Sequence, residues 1–331
     1  MLICLRTCAS LLKVFKYRIV QKMEKNKFII SSWNSNNPVK GSKFDPHQKS
    51  LEEICYISID WITITGLFLK SSAKQELTSI GWVIAKSVNR EVFNLELQEK
   101  KINHITNKVD INVKARIQPN EYRDTWSLRT SNHITKSDKE KILKAVSYFI
   151  KPKITRIDLA FDFINFNDAG MHYRFYKTGT KTTTITNTSG KVETIYCGSS
   201  KSNRQYRYYN KLRERTNNKA EDIPKSYYSW ERLELTTKNR DLDHEVKRML
   251  TCFKRPKYAS NNLKGTAKIA FIGLSEHPEL ISVLSKNTKK KYKEYLEKYQ
   301  GYDANYSELA LKVFNANKTE IVKEIESFIK E

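Results

Sequence analysis

The sequence predicts an α+β fold: an antiparallel sheet with flanking helices and a mainly helical C-terminal region. Three observations carry that expectation. β-branched and aromatic runs with period-two alternation recur between Ile54 and Lys238. Helical stripes fall between groups of strands rather than after every strand, which disfavours a parallel βαβ arrangement. Beyond Glu276 the pattern is helical and dense in lysine, as in KNTKKKYKEYLEKY.

Taken in order, Ser31 to about Lys49 is rich in Ser, Asn, Pro and Lys and reads as a flexible arm. ICYISIDWITIT, from Ile54, has the composition of a strand. A helix is expected over about 72–88, with Leu77, Ile80, Val83 and Ile84 on its apolar face. Val109–Ile117 and Thr125–Leu128 alternate like strands. Ser137 and Glu140 have capping-box spacing and open a helix that carries Ile142, Leu143, Val146, Phe149 and Ile150 and stops at Pro152. Ile154–Phe163 alternates cleanly, with Ile157, Leu159, Phe161 and Phe163 on one side and Arg156, Asp158, Ala160 and Asp162 on the other. A short helix-like piece follows. TTTIT and ETIYCG flank a turn at Asn187–Gly190 and read as a hairpin. Arg204–Lys211 and Tyr227–Lys238 are further strands, His244–Phe253 a helix, and Ala267–Gly273 a strand-like apolar piece. The expected organisation is a basic arm over 1–50, a catalytic unit over 51–253 and a helical region over 254–331.

Composition narrows the function classes. In 331 residues, 60 Lys plus Arg face 36 Asp plus Glu, a formal net charge of +24. Such a chain repels itself, and a polyanion, most often nucleic acid, relieves the repulsion. With 39% hydrophobic and 11% aromatic residues it is no disordered tail, collagen-like chain or acidic secreted enzyme. Five cysteines without a CxxC pair exclude a disulfide scaffold and suit a reducing cytoplasm. No apolar run reaches the ~18 residues of a membrane span. The first 22 residues are basic and mildly amphipathic and are expected to be dispensable, with Met23 as an alternative start.

The polar strand faces carry the candidate chemistry. Arg156 and Asp158 share a face, as do Arg232 and Glu234, and as do Arg207, Tyr209 and Lys211. Meeting on one side of a sheet, they would assemble what metal-assisted phosphodiester chemistry needs. Carboxylates of Asp158 and Glu234 would hold Mg²⁺ or Mn²⁺, with Asp60 and Asp162 in reserve. Tyr209 would be the nucleophile, helped by Arg207 and Lys211, since a phenol of pKa about 10 needs a nearby cation or base. Arg156 and Arg232 either hold the acids or contact phosphate. Lys289, Lys290 and Lys291 are either a solvated helix face or a DNA-facing one. Tyrosines from Tyr196 to Tyr228, interleaved with basic residues, suit stacking of unpaired bases.

TRIDLAFD, YCGSSKSNRQYRYYNK and WERLEL together resemble the replication initiation factors of rolling-circle plasmids and the related conjugative relaxases. The family's T-R-x-D falls on Thr155, Arg156 and Asp158. Its Y-x-G-S falls on Tyr196, Gly198 and Ser199, and R-x-Y-[DN]-K on Arg207, Tyr209, Asn210 and Lys211. R-x-E falls on Arg232 and Glu234, and SIDWITIT resembles the first strand, with Asp60 near the family's acidic residue. The resemblance covers roughly 54–238. It implies a sheet related to that of HUH endonucleases and a cytoplasmic, strand-specific nickase. Its tyrosine joins to a 5′ phosphate at an origin and frees a 3′ hydroxyl. It also implies DNA as partner, with a host helicase and a second copy as further partners. The sequence holds no His-x-His pair, so carboxylates would replace the histidine ligands of HUH enzymes. A non-catalytic nucleic-acid binder using the same basic, aromatic sheet is the competing reading.

Overall fold

The computed structural model describes residues 29–32, 53–87, 93–103, 108–120, 123–131, 134–167, 169–177, 179–218, 223–258 and 263–329. Strand β1 (Ile29–Ser32) pairs in parallel with β2 (Ile54–Phe68), so part of the expected arm belongs to the sheet. The remainder of 1–50 lies outside the described residues. Helix α1 (Lys70–Ser79) stops short of the expected 88. Gly81 takes φ +103, a conformation glycine adopts freely, and turns the chain so that Trp82 enters the core on β3 (Trp82–Ser87). Val83 and Ile84 are therefore strand residues. Strands β4 (Phe93–Asn103), β5 (Lys108–Pro119) and β6 (Trp126–Thr130) follow as a meander.

Helix α2 (Lys136–Val146) is capped by Thr135 with Asp138, two residues before the expected box. It ends at Val146, and Phe149 and Ile150 open the long strand β7 (Phe149–Ile164) instead of finishing the helix. Pro152 sits inside β7 where the pairing with β2 slips register between Thr65 and Leu67, so the missing N–H interrupts no regular ladder. The link after β7 is irregular rather than helical, with Asn165 and Met171 at positive φ. Strands β8 (Arg174–Phe175), β9 (Thr182–Thr186), β10 (Val192–Cys197) and β11 (Arg204–Asn210) come next, then α3 (Lys211–Asn217) and β12 (Trp230–Thr237). Helix α4 (Leu242–Cys252) and β13 (Phe253–Tyr258) lead to α5 (Gly265–Glu276), where a strand was expected. There Phe271 and Leu274, three apart, are buried while Ile269 is exposed, a helical division of an apolar run. A 3-10 turn at 278–283, α6 (Lys286–Tyr299), β14 (Gln300–Asp303) and α7 (Asn305–Glu326) complete the chain.

The main sheet has the order β3-β4-β5-β6-β2-β7-β12-β11-β10-β9, with β1 alongside β2; β14, β13 and β8 form a small second sheet. Every pairing but that of β1 is antiparallel. The α+β class with a large antiparallel sheet and C-terminal helices is the one the alternation patterns predict. One face of the sheet presents Ile57, Leu159, Phe161, Tyr206, Tyr208, Leu233 and Leu235 to the core, where Leu77, Ile142, Val246, Val313 and Phe314 of the helices pack. The opposite face takes the polar positions of the same strands.

Candidate active site

Strand register sets the site. Tyr209 of β11 stands opposite Arg232 of β12, which stands opposite Asp162 of β7. One row along, Arg207 faces Glu234, which faces Ala160; in the next, Thr236 faces Asp158. Paired residues point to the same side, so three strands place Arg207, Tyr209, Arg232, Glu234, Asp158 and Asp162 on one face. β12 lies between β7 and β11 although it comes last in the chain. Gly198 has a structural role beside this row. It turns between β10 and β11 at φ +98, and a Cβ there would stand 2.9 Å from the Arg204 carbonyl oxygen.

The Tyr209 hydroxyl donates to Glu234 Oε1 at 2.8 Å, and the Arg207 guanidinium lies over its ring at 3.8 Å from the centroid. Arg207 Nη1 also lies 3.5 Å from Glu234 Oε2. Tyr209 is 2% exposed. Burial pushes its phenol well above the usual range, only partly offset by the Arg232 charge, so Tyr209 rests as a neutral phenol aimed at a carboxylate. Burial raises Glu234 as well, and the nearby charge of Asp60 raises it further.

Beneath this pair, Arg232 is buried at 1% exposure. Its Nε and Nη2 donate to the two oxygens of Asp162 at 2.7 and 2.9 Å, and Nη1 reaches Asp60 at 3.3 Å. The Trp230 indole N–H also donates to Asp162. Burial opposes the charge on Arg232, yet Asp162 and its neighbours raise its pKa well above the usual value. Arg232 and Asp162 thus form a charged floor. Arg156 makes a similar fork to Asp158, at 2.8 and 2.6 Å, and remains one-third exposed.

Two residues sit differently from their sequence expectation. Lys211 does not extend the β11 face; it is the first residue of α3, whose cap is the Asn210 side chain accepting from the Arg213 N–H. It still reaches the site, with Nζ 5.6 Å from the Tyr209 ring centroid and 2.5 Å from Glu214 Oε2. Burial, and next the Arg232 charge, lower its pKa. Asp60, expected only in reserve, occupies the bulge between Ile59 and Trp61 on β2. Burial raises its carboxyl despite Arg232, and Asp158 and Asp162 add to the rise. A bulge is not visible in an alternating pattern, which is why Asp60 looked peripheral. Arg207, Tyr209 and α3 residues Arg213, Glu214 and Asn217 border a cleft of about 220 Å³.

Tyr206 and Tyr208 lie on the core face, and Tyr208 donates to buried Glu231 at 2.6 Å. Lys289, Lys290 and Lys291 lie on α6, which has no buried residue and packs on α5, β14 and the 3-10 turn rather than on the site. Among the described residues, no group of three or more His, Cys, Asp or Glu side chains is arranged to hold a metal ion, and no helix is long and apolar enough to cross a membrane.

No family model matches the chain. Among curated proteins, a replication initiation protein of Staphylococcus aureus is 30% identical over 186 residues, spanning 55% of this chain and 56% of that relative. Another replication initiation protein of the same species is 25% identical over 312 residues, spanning 90% of this chain and 91% of the relative. Among solved structures, the rolling circle replication initiator protein from Geobacillus stearothermophilus covers 67% of this chain and 97% of its own at TM-score 0.37 and 12% identity, a likeness too loose to assign roles to residues.

Proposed function

We propose that this chain, which is similar to replication initiation proteins, starts rolling-circle replication by nicking one DNA strand at an origin through Tyr209. The observation that carries this reading is the Tyr209–Glu234 hydrogen bond beneath the Arg207 guanidinium. A buried phenol is a poor nucleophile until a base takes its proton. Glu234 is positioned to accept it at hydrogen-bond distance as the phenolic oxygen attacks phosphorus. The P–O3′ bond then breaks, Tyr209 keeps the 5′ phosphate, and the 3′ oxygen takes a proton, for which Lys211 with its lowered pKa is the acid. Arg207 offsets the charge that grows on the phosphoryl oxygens. Arg232 and Asp162 hold this face rigid from below.

Mg²⁺ or Mn²⁺ belongs to the proposal. The donors are hard carboxylate oxygens, and two of them, Asp60 and Glu234, are pushed up by burial and by neighbouring negative charge, which a cation would relieve. Asp158 and Glu234 would supply two of its ligands, leaving the rest to phosphate and water, and it would polarise the scissile phosphate. Binding is checked without turnover: Mn²⁺ raises the melting temperature of the wild type and leaves an Asp158→Asn/Glu234→Gln variant unchanged. Relaxase activity in conjugation would use the same chemistry.

The deciding experiment incubates the protein with supercoiled DNA carrying its origin and the divalent metal. Wild type forms a covalent 5′ adduct and a nicked circle, and Tyr209→Phe forms neither while still binding. Binding without nicking by the wild type would establish the non-catalytic reading instead. Nicking retained by Tyr209→Phe would move the nucleophile elsewhere.

A further inference from the structure

The site face continues past Asp158 towards the other edge of the sheet. Arg156 on β7 stands opposite Thr63 on β2, Thr63 opposite Arg129 on β6, Arg129 opposite Arg116 on β5, and Arg116 opposite Glu96 on β4. Three arginines therefore lie in one line across the strands, on the face that carries Asp158. At a strand spacing of ~4.8 Å, Arg116 is about 24 Å across the sheet from Tyr209.

The outer arginines each bridge a carboxylate directly, and the middle one is stacked on a ring instead. Arg156 forks to Asp158, and Arg116 bonds Glu96 through Nε and Nη2 at 2.7 and 2.6 Å. Arg129 is exposed, and no carboxylate bridges it among the described residues. Its guanidinium lies instead on the Trp61 indole, 4.1 Å from the ring centroid. Partial desolvation lowers its pKa and the Arg156 charge lowers it further, partly offset by the carboxylates of Asp158 and Asp60. A stacked guanidinium keeps its N–H edges pointing outward in a fixed fork, which matches phosphate oxygens. An arginine kept only to cover Trp61 would not need two more arginines lined up beside it.

We propose that Arg129, held flat on Trp61, clamps the backbone phosphate of the single DNA strand that runs across β6, β2 and β7 to Tyr209, with Arg116 and Arg156 guiding it on either side. The proposal rests on the nicking reading for its direction of travel. The ligand chemistry is a phosphodiester chain with unpaired bases, which fits a flat sheet face better than a duplex groove.

The test uses full-length protein with Tyr209→Phe, so that nothing is cut, and a labelled mixed-sequence single strand of about 20 nucleotides. Arg129→Ala is expected to weaken binding about tenfold, as for a lost charged hydrogen bond. It should also flatten the plot of log affinity against log salt by about 0.7, the share of one single-strand phosphate. Arg129→Lys retains the slope and loses part of the affinity, because an ammonium does not make the stacked fork. Both variants keep the wild-type melting temperature, since the side chain is exposed. Unchanged affinity and slope in Arg129→Ala would overturn the clamp, as would an equal loss on a duplex of the same length. The two readings fail separately. A covalent adduct in the wild type with Arg129-independent binding sinks the clamp alone. Arg129-dependent single-strand binding without any adduct sinks the nicking alone.

Discussion

Three tyrosines crowd into Arg204–Asn210, and the pleat assigns them opposite duties. Tyr206 and Tyr208 face the core, and Tyr209 faces the carboxylates. Tyr208→Phe leaves Glu231 without one of its three donors, the others being the Gly170 and Met171 N–H groups. It is expected to cost about 1–3 kcal/mol of stability in chemical denaturation while adduct formation persists. Glu234→Gln preserves shape and removes the proton acceptor. Single-turnover nicking is expected to fall by about 10²–10⁴-fold, with binding of an uncleaved strand little changed. The side of the strand on which Tyr209 projects was legible from period-two alternation in RQYRYYN. Its burial was not, because that depends on Arg207 folding over the ring and on Lys211 arriving from a helix. Asp60 was legible as an acid near the first strand but not as a member of the carboxylate group, since the β2 bulge that places it leaves no trace in composition.

Elements hold these residues in place, and two joints matter most. At the β10–β11 turn, Gly198→Ala combines a left-handed φ with a contact against backbone that no side-chain rotation relieves. The expected loss is about 1–3 kcal/mol, read as a lower melting temperature, with slower nicking because β11 carries Tyr209. At the other end of β11, Arg204 forks to Glu245 of α4 with two bonds of 2.7 Å. Burial alone would raise the Glu245 carboxyl, but the Arg204 fork and Asn239 outweigh it and hold its pKa below the ordinary value. A carboxyl depressed in the folded state contributes stability above its unfolded pKa of about 4.3, and that contribution disappears as pH falls through the folded value. Glu245→Gln is therefore expected to destabilise by about 2 kcal/mol at neutral pH. The gap from wild type should close below about pH 4, in denaturation curves taken across that range. Alternation picked out β2, β5, β6, β7 and β9 to β12, but not β1, β3, β4, β8, β13 or β14, and it took α5 for a strand. The misread helix ends share one cause: apolar residues at 82–84 and 149–150 fit both a helical stripe and a strand, and Gly81 and the Thr135 cap decided between them.

For the whole molecule, a net charge of +24 already named a polyanion as partner. The fold gives part of that charge an address, since Arg207, Arg129 and Arg156 share one sheet face while α6 keeps its lysines on a separate helix. Origin binding is expected to be strongly electrostatic, weakening by roughly 10³–10⁵-fold between 50 and 200 mM salt for six to ten phosphate contacts, measured as a titration series. Arginines and lysines are easy to count in a sequence. Which of them line up depends on pairing between strands far apart in the chain, and that is why Arg116 and Arg129 went unnoticed beside the motif residues.

The position of β12 has a consequence in time as well as space. Arg232 and Glu234 are the last site residues to be synthesised, yet their strand must settle between β7 and β11, 70 and 27 residues upstream in the register pairs Asp162–Arg232 and Arg207–Glu234. Until it does, β7 and β11 each present an unpaired edge and Tyr209 has no proton acceptor. Such a late, non-local insertion favours slow folding, and on the nicking reading it would also keep a nascent chain from cutting DNA. On the nicking reading, a ribosome-bound fragment ending before Trp230 carries Tyr209, Arg207 and Lys211 but neither Glu234 nor Arg232, so cutting would await a chain that has passed Thr237.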